Sequence, residues 1–259
     1  MFLEKENNIK VYYETYGNKK DEPLILIHGL GLDHNMYEKQ IEKYREKGFY
    51  LITPDMRAHG KSSKVENLKI SDWAEDIKDL MDELHIKTAN VLGVSMGGII
   101  AQKFAVQYPA RVRKLILSDT FSEIVTFTEK MVSIGQVLAL KLFNILPNKL
   151  GANFYAAAYK DYSDEVGEYF KQVTLKADFK QTVIARRAIN KVDLLDELAK
   201  IDSPTLIMAG DKILIEPAKK MKNKIEQSEL KIIEGSTDPS NMTKPEIFDR
   251  YVLDFLNRD

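Results

Sequence analysis

Apolar residues in this chain fall into short runs separated by polar, helically spaced segments. Val11–Gly17, "VYYETYG", alternates and is rich in β-formers, which predicts an early strand. Six further runs are almost continuously apolar: Pro23–Gly29, Phe49–Asp55, Ala89–Ser95, Arg113–Asp119, Pro204–Asp211 and Leu230–Gly235. Unbroken runs of this length mark strands buried on both faces. Helical spacing lies between them. Ser71–Leu84 opens on Ser71 as an expected N-cap, and Gly97–Gln107 follows a strand directly. Pro217–Ile225 and Pro245–Leu256 each begin with proline, which suits a first helical turn. Buried strands alternating with helices predict an α/β protein, its mostly parallel sheet covered on both sides.

One segment breaks the rhythm. Between Asp119 and Pro204 no buried strand is evident, only helical patterns carrying Met131, Leu138, Phe143, Phe154, Tyr155, Tyr159 and Phe170. This predicts a helical cap at 121–199 inserted into a core made of 1–120 and 200–259. Any one of these side chains would pack within the cap. Together they suggest a small-molecule pocket between cap and core, where binding sites concentrate.

Composition narrows the partners. With 38 basic and 39 acidic residues the net charge is −1, which gives no reason to expect nucleic acid or an anionic membrane. No cysteine is present, so thiol catalysis and thiolate metal sites are excluded. No metal-ligand cluster stands out and no cofactor is implied. The N-terminus, "MFLEKENNIK", is polar from its fourth residue and unlike a signal peptide, so a cytoplasmic location is expected.

Two glycine-rich turns carry the candidate chemistry. "GVSMG", Gly93–Gly97, is a G-x-S-x-G motif between a strand and a helix. There it forms a sharp turn that raises Ser95 at the carboxyl edge of the sheet, with Gly93 and Gly97 leaving room for the crossing. "HGLG", His28–Gly31, follows an earlier strand; Gly29 lets the backbone aim N–H groups at a neighbouring site, where with Met96 they would form an oxyanion hole.

With "LILIHGLG", "YLITPDMRAHGKS", "NVLGVSMGG", "RVRKLILSDT", "PTLIMAGDK" and "KPEIFDRYVLDFL" in this order, the chain resembles the α/β-hydrolase superfamily, in its branch of small bacterial esterases, enol-lactonases and cofactor-free haloperoxidases. The resemblance runs almost end to end. It implies the α/β-hydrolase fold: an eight-stranded, mostly parallel sheet, a cap after the sixth strand, and a Ser–Asp–His triad in chain order. Carried over, it makes Ser95 the nucleophile and the N–H groups of Leu30 and Met96 the oxyanion donors. It makes His28 and His59 structural.

The pattern then departs twice. "GDKILIEP" keeps Gly210 and Pro217 but has Ile213 where the resemblance puts the triad acid. "GSTDPSNMTKPE" keeps Gly235, Pro245 and Glu246 but has Asp238 in place of the histidine. Of the four histidines, His85 closes a helix, and His34 is the one whose direction is open, with a surface or helix-start role expected. Asp211 and Asp119 are spare acids without an imidazole to orient. Ile213 spares Asp238 a like-charged neighbour, and a dry pocket would raise the Asp238 pKa. The expectation is a serine-hydrolase-like protein in which efficient ester hydrolysis is impaired. The alternatives are a repurposed or engineered site with Asp238 as general base, and a ligand-binding protein without turnover.

Overall fold

The computed structural model describes residues 1–160, 162–211 and 214–258, apart from the side chains of Asn7 and Tyr155. In chain order the elements are β1 (Phe2–Glu4), β2 (Lys10–Tyr16), β3 (Glu22–Ile27), α1 (Glu38–Glu46), β4 (Phe49–Pro54), α2 (Ile70–Glu83), β5 (Ala89–Val94), α3 (Met96–Gln107) and β6 (Val112–Ser118). Then follow α4 (Phe127–Phe143), α5 (Asn148–Tyr159), α6 (Asp164–Lys176) and α7 (Phe179–Ile189), inserted before β7 (Thr205–Gly210). The chain closes with α8 (Ile215–Lys224), β8 (Ser228–Ile233), α9 (Ser240–Thr243) and α10 (Pro245–Leu256).

The strands form one eight-stranded sheet in the order β1-β2-β4-β3-β5-β6-β7-β8. β1 and β2 are antiparallel; β3 to β8 run parallel. Alternation along each strand explains the unbroken apolar runs. Ile25, Ile27, Val91, Leu115, Leu117 and Ile207 face one way, against Trp73, Ile77 and Phe104 of α2 and α3. Leu24, Leu26, Leu92, Ile116, Leu206 and Met208 face the other, against Tyr44 of α1 and Phe248, Val252 and Phe255 of α10. Each such fully buried side chain contributes roughly 1.5–3 kcal/mol, so the two layers hold the sheet that positions the site.

The element pattern differs from expectation in detail. β1 spans only three residues, too few for a period to register, and it completes the eight strands. α2 starts at Ile70, ahead of Ser71, because the Asp72 carboxylate accepts the Lys69 N–H at 2.8 Å and closes the first turn. α8 starts at Ile215, so Pro217 is in its first turn without opening it, whereas Pro245 does open α10. Met131 and Leu138 do not pack an inner core: they are 50% and 59% exposed on α4.

Candidate active site

The reversal of strand order puts the site where it is. β3 lies between β4 and β5, so connections from β3 and β5 leave the sheet in opposite directions and open a crevice at the carboxyl edge. Ile27 of β3 pairs with Gly93 of β5, which brings the turn at Gly29 and Leu30 beside Ser95.

Ser95 has φ 56° and ψ −117°, a left-handed conformation costly for a residue with a Cβ. Its surroundings enforce it. The Ser95 N–H donates to the Ser118 carbonyl at 2.9 Å, and the Ser95 carbonyl accepts from Thr120 Oγ1 at 2.8 Å. The flanking glycines are steric requirements: a Cβ on Gly93 would lie 2.1 Å from the Gly97 carbonyl oxygen, and one on Gly97 would lie 2.0 Å from that of Ile27. Met96 opens α3, and neither its N–H nor that of Leu30 donates a hydrogen bond within the protein among the described residues. Both residues line the cavity beside Ser95.

Asp238 reaches Ser95 directly: the Ser95 hydroxyl donates to Asp238 Oδ2 at 2.7 Å. Asp238 follows β8, which lies three strands from β5, roughly 14 Å at the usual strand spacing. Asp119, at the end of β6, pulls that loop across. Its carboxylate accepts from Ser240 N at 2.7 Å, Ser240 Oγ at 2.9 Å, Gly210 N at 3.0 Å and Ser118 Oγ at 3.1 Å. Ser236 Oγ braces the loop from within through Ser240 Oγ at 2.9 Å and Thr243 Oγ1 at 2.8 Å. From the insertion, the Tyr159 hydroxyl donates to the Asp238 carbonyl at 2.8 Å, its ring stacked on Phe170 at 4.0 Å.

Burial, then the nearby Asp119 carboxylate, push the Asp238 pKa up to about 8; the Ser95 hydrogen bond opposes them weakly. Burial raises Asp119 as well, but four donors favour its anion, so the proton resides on Asp238, which has one. Asp119 supplies Asp238 with a like-charged neighbour that the sequence reading, which considered only position 213, did not foresee. Ile213 itself lies outside the described residues. Because the folded pKa exceeds the unfolded value, the group's stabilisation is complete below about pH 4 and is lost as pH rises through about 8. Asp238→Asn keeps the neutral form at every pH. Its melting temperature is expected to exceed the parent's by a margin that widens between pH 5 and pH 8.5. A constant difference in melting scans across that range would refute the raised pKa.

The histidines are committed elsewhere. His28 Nδ1 donates to the Gly29 carbonyl at 2.8 Å and its Nε2 accepts the Met56 N–H at 3.0 Å, so the ring supports the turn. His59 packs on His28 with 5.0 Å between ring centroids, and burial pushes its pKa down to about 3. His85 is exposed after α2. His34 does start a helix but is buried, not at the surface: its Nδ1 meets Asp55 Oδ1 at 2.8 Å and its Nε2 faces Glu14 at 3.4 Å. Asp211 is exposed. A cavity of about 550 Å³ beside His34, His59 and Lys61 is the larger one, but it reaches neither Ser95 nor Asp238. The cavity over Ser95 measures about 190 Å³ and is walled by Tyr159, Phe170, Arg186 and Ile189 from the insertion and by Leu30 and Met96 from the core. Phe143 lines an adjoining cavity. Among the described residues no group of three or more acidic or histidine side chains could hold a metal ion, and no helix is long and apolar enough to cross a membrane.

Known proteins share this arrangement of the chain. The family model for the α/β hydrolase fold matches residues 22–245. The AB hydrolase superfamily protein YisY of Bacillus subtilis is 31% identical over 244 residues, covering 88% of each chain. A 3-oxoadipate enol-lactonase of Acinetobacter baylyi is 28% identical, covering 90% of this chain and 87% of its own. Among solved structures, a hydrolase from Pseudomonas aeruginosa superposes with a TM-score of 0.89 at 22% identity, covering 100% of this chain and 98% of its own. An esterase from Exiguobacterium antarcticum gives a TM-score of 0.88 at 24% identity, covering 99% of both. Sheet order, elbow and family match agree: this chain belongs to the α/β hydrolase fold family.

Proposed function

We propose that the protein hydrolyses small carboxylic esters or lactones through Ser95, with Asp238 as its base, well below the rate of a Ser–His–Asp enzyme. The 2.7 Å contact between Ser95 Oγ and Asp238 Oδ2 carries this reading. Ser95 Oγ attacks the carbonyl carbon while its proton passes to Asp238, and the N–H groups of Leu30 and Met96 receive the developing oxyanion. Protonated Asp238 then returns the proton to the leaving alkoxide. Water attacks the acyl-enzyme in a second cycle of the same transfers, releasing the acid.

The pKa matters here. An ordinary carboxylate is too weak a base to draw a proton from an alcohol, whereas one near 8 has the basicity of a general base suited to neutral or mildly alkaline conditions. With its pKa raised to about 8, Asp238 is mainly protonated at pH 7. Turnover is therefore expected to rise about tenfold between pH 7 and pH 9, where the anion becomes the main form. The helical insertion acts as a cap over a small-molecule pocket, which suits a cytoplasmic enzyme without nucleic-acid or membrane partners.

Hydrolysis of a short aryl ester, followed from pH 6 to pH 10, tests this. Ser95→Ala should remove enzyme-dependent turnover, and Asp238→Asn should remove both most of the rate and its rise through pH 8. Turnover that survives Ser95→Ala sinks the nucleophile. The mainly neutral form of Asp238 at pH 7 favours a second reading, a ligand-binding protein without turnover. That reading predicts saturable thermal stabilisation by a small molecule with no product at any pH.

A further inference from the structure

Arg186 is out of place for a structural arginine. Phe179, Thr182, Arg186 and Ile189 recur at helical spacing on the inner face of α7, and all four line one or both of the adjoining cavities. Arg187 beside it is exposed, as a solvated helix arginine should be. Arg186 instead enters the cavity that holds Ser95 and Asp238. Among the described residues it has no acidic partner. Its one side-chain hydrogen bond among the described residues is a long one, from Nη2 to Ser133 Oγ at 3.3 Å. Its Nε is buried and makes no hydrogen bond. Ser133, whose carbonyl also receives the Asn190 amide at 3.3 Å, sits on α4 and fixes where the guanidinium lies.

A guanidinium taken out of water without a counter-ion is costly, and proteins tolerate it where a ligand completes the pair. Burial lowers the Arg186 pKa to about 10, so the group remains a cation over the range in which Asp238 titrates. Below about pH 8 the cavity thus holds, among the described residues, one positive group, Arg186, and a mainly neutral Asp238. It favours an anion. Two cavities of about 190 and 180 Å³ meet at Arg186, sharing Leu30, Leu32, Gln136 and Phe170 as walls. That is room for a few carbons between a carbonyl at Ser95 and an anionic group at the guanidinium, with planar, two-pronged geometry that suits a carboxylate.

We propose that Arg186 binds a carboxylate on the substrate, so that the pocket selects half-esters of short dicarboxylic acids, or lactones that carry a free carboxylate, over neutral ones. The substrate class rests on the Ser95 hydrolase reading; the anion site does not. Two measurements separate them. In the first, glutarate and its neutral counterpart glutaramide are titrated against the full-length chain at pH 7 in thermal scans. Glutarate is expected to raise the melting temperature saturably and glutaramide is not. Arg186→Met should abolish the glutarate response, and Arg186→Lys, which keeps the charge, should retain part of it. Equal responses to the two compounds on the unaltered chain overturn the proposal even if no variant folds. So does a glutarate response that persists in folded Arg186→Met.

In the second, kcat/KM is compared for monoethyl glutarate and ethyl butyrate. The ratio is expected to favour the anion and to fall ~30-fold or more in Arg186→Met, the usual loss when one member of a desolvated charge pair is removed. An unchanged ratio overturns the substrate class. Glutarate binding that depends on Arg186, together with no cleavage of either ester, keeps the anion site and removes the hydrolase reading instead.

Discussion

Ile213→Asp combined with Asp238→His is expected to raise aryl-ester kcat/KM by at least ~10³, about 4 kcal/mol of transition-state stabilisation. It should also move the midpoint of the pH profile from about 8 towards 7, because an unperturbed imidazole titrates near 6.5. The Ser95 elbow, the unpaired N–H groups of Leu30 and Met96, and the cavity are all in place to use a histidine. Removing the histidine from an intact triad costs on the order of 10⁶ in a well-studied serine protease, so a gain of this size is a partial recovery. Asp238→His alone should fall well short of it. Asp119 is the nearby acid, but each of its oxygens already accepts two hydrogen bonds, leaving no lone pair to orient the new ring. Steady-state kinetics on the two variants decide the matter. A folded double variant no faster than the parent would mean that the register of the two loops has been misassigned.

Gly97→Ala is expected to be the most damaging single substitution in the elbow. Its Cβ would fall 2.0 Å from the Ile27 carbonyl oxygen and 2.9 Å from that of His28, both backbone atoms with nowhere to go. Overpacking against backbone lies at the upper end of such costs, about 3 kcal/mol, which corresponds to roughly 6–12 °C in melting temperature for a chain of this size. Relief requires α3 to move away from β3, which separates Ser95 from the Leu30 turn. A misplacement of about 1 Å at a reacting centre costs about 10² in rate. A variant melting within 2 °C of the parent and retaining its Ser95-dependent rate would show that the glycine is not a steric requirement.

The fold was legible because each buried strand writes its own signature. Runs such as "LILI" and "IMA" are apolar at every position only when both faces of a strand are covered, and seven of the eight strands carry that mark or an alternating one. β1 does not, since three residues are too short for a period. The elbow was legible for a similar reason: Gly93, Ser95 and Gly97 meet steric demands within five consecutive residues. The N-cap expected at Ser71 is instead Lys69, two residues earlier, because Asp72 closes that turn through its own carboxylate.

Sequence alone therefore determined the parallel sheet, the position of Ser95 on its turn, and the presence of Asp238 in the loop that follows the last strand. These depend on neighbours close along the chain or on motif order. Only the tertiary structure decided what Asp238 is. Its contact with Ser95 spans 143 positions and depends on Asp119 gripping Ser240 from 121 positions away. The same acid that draws the loop into place raises the Asp238 pKa, because two carboxylates brought together by folding cannot both ionise cheaply. Arg186 was equally hidden. Along the chain it is one of two adjacent arginines, and only the packing of α7 over the crevice turned one of them inward, where partial loss of water makes a charge with no acidic partner among the described residues significant.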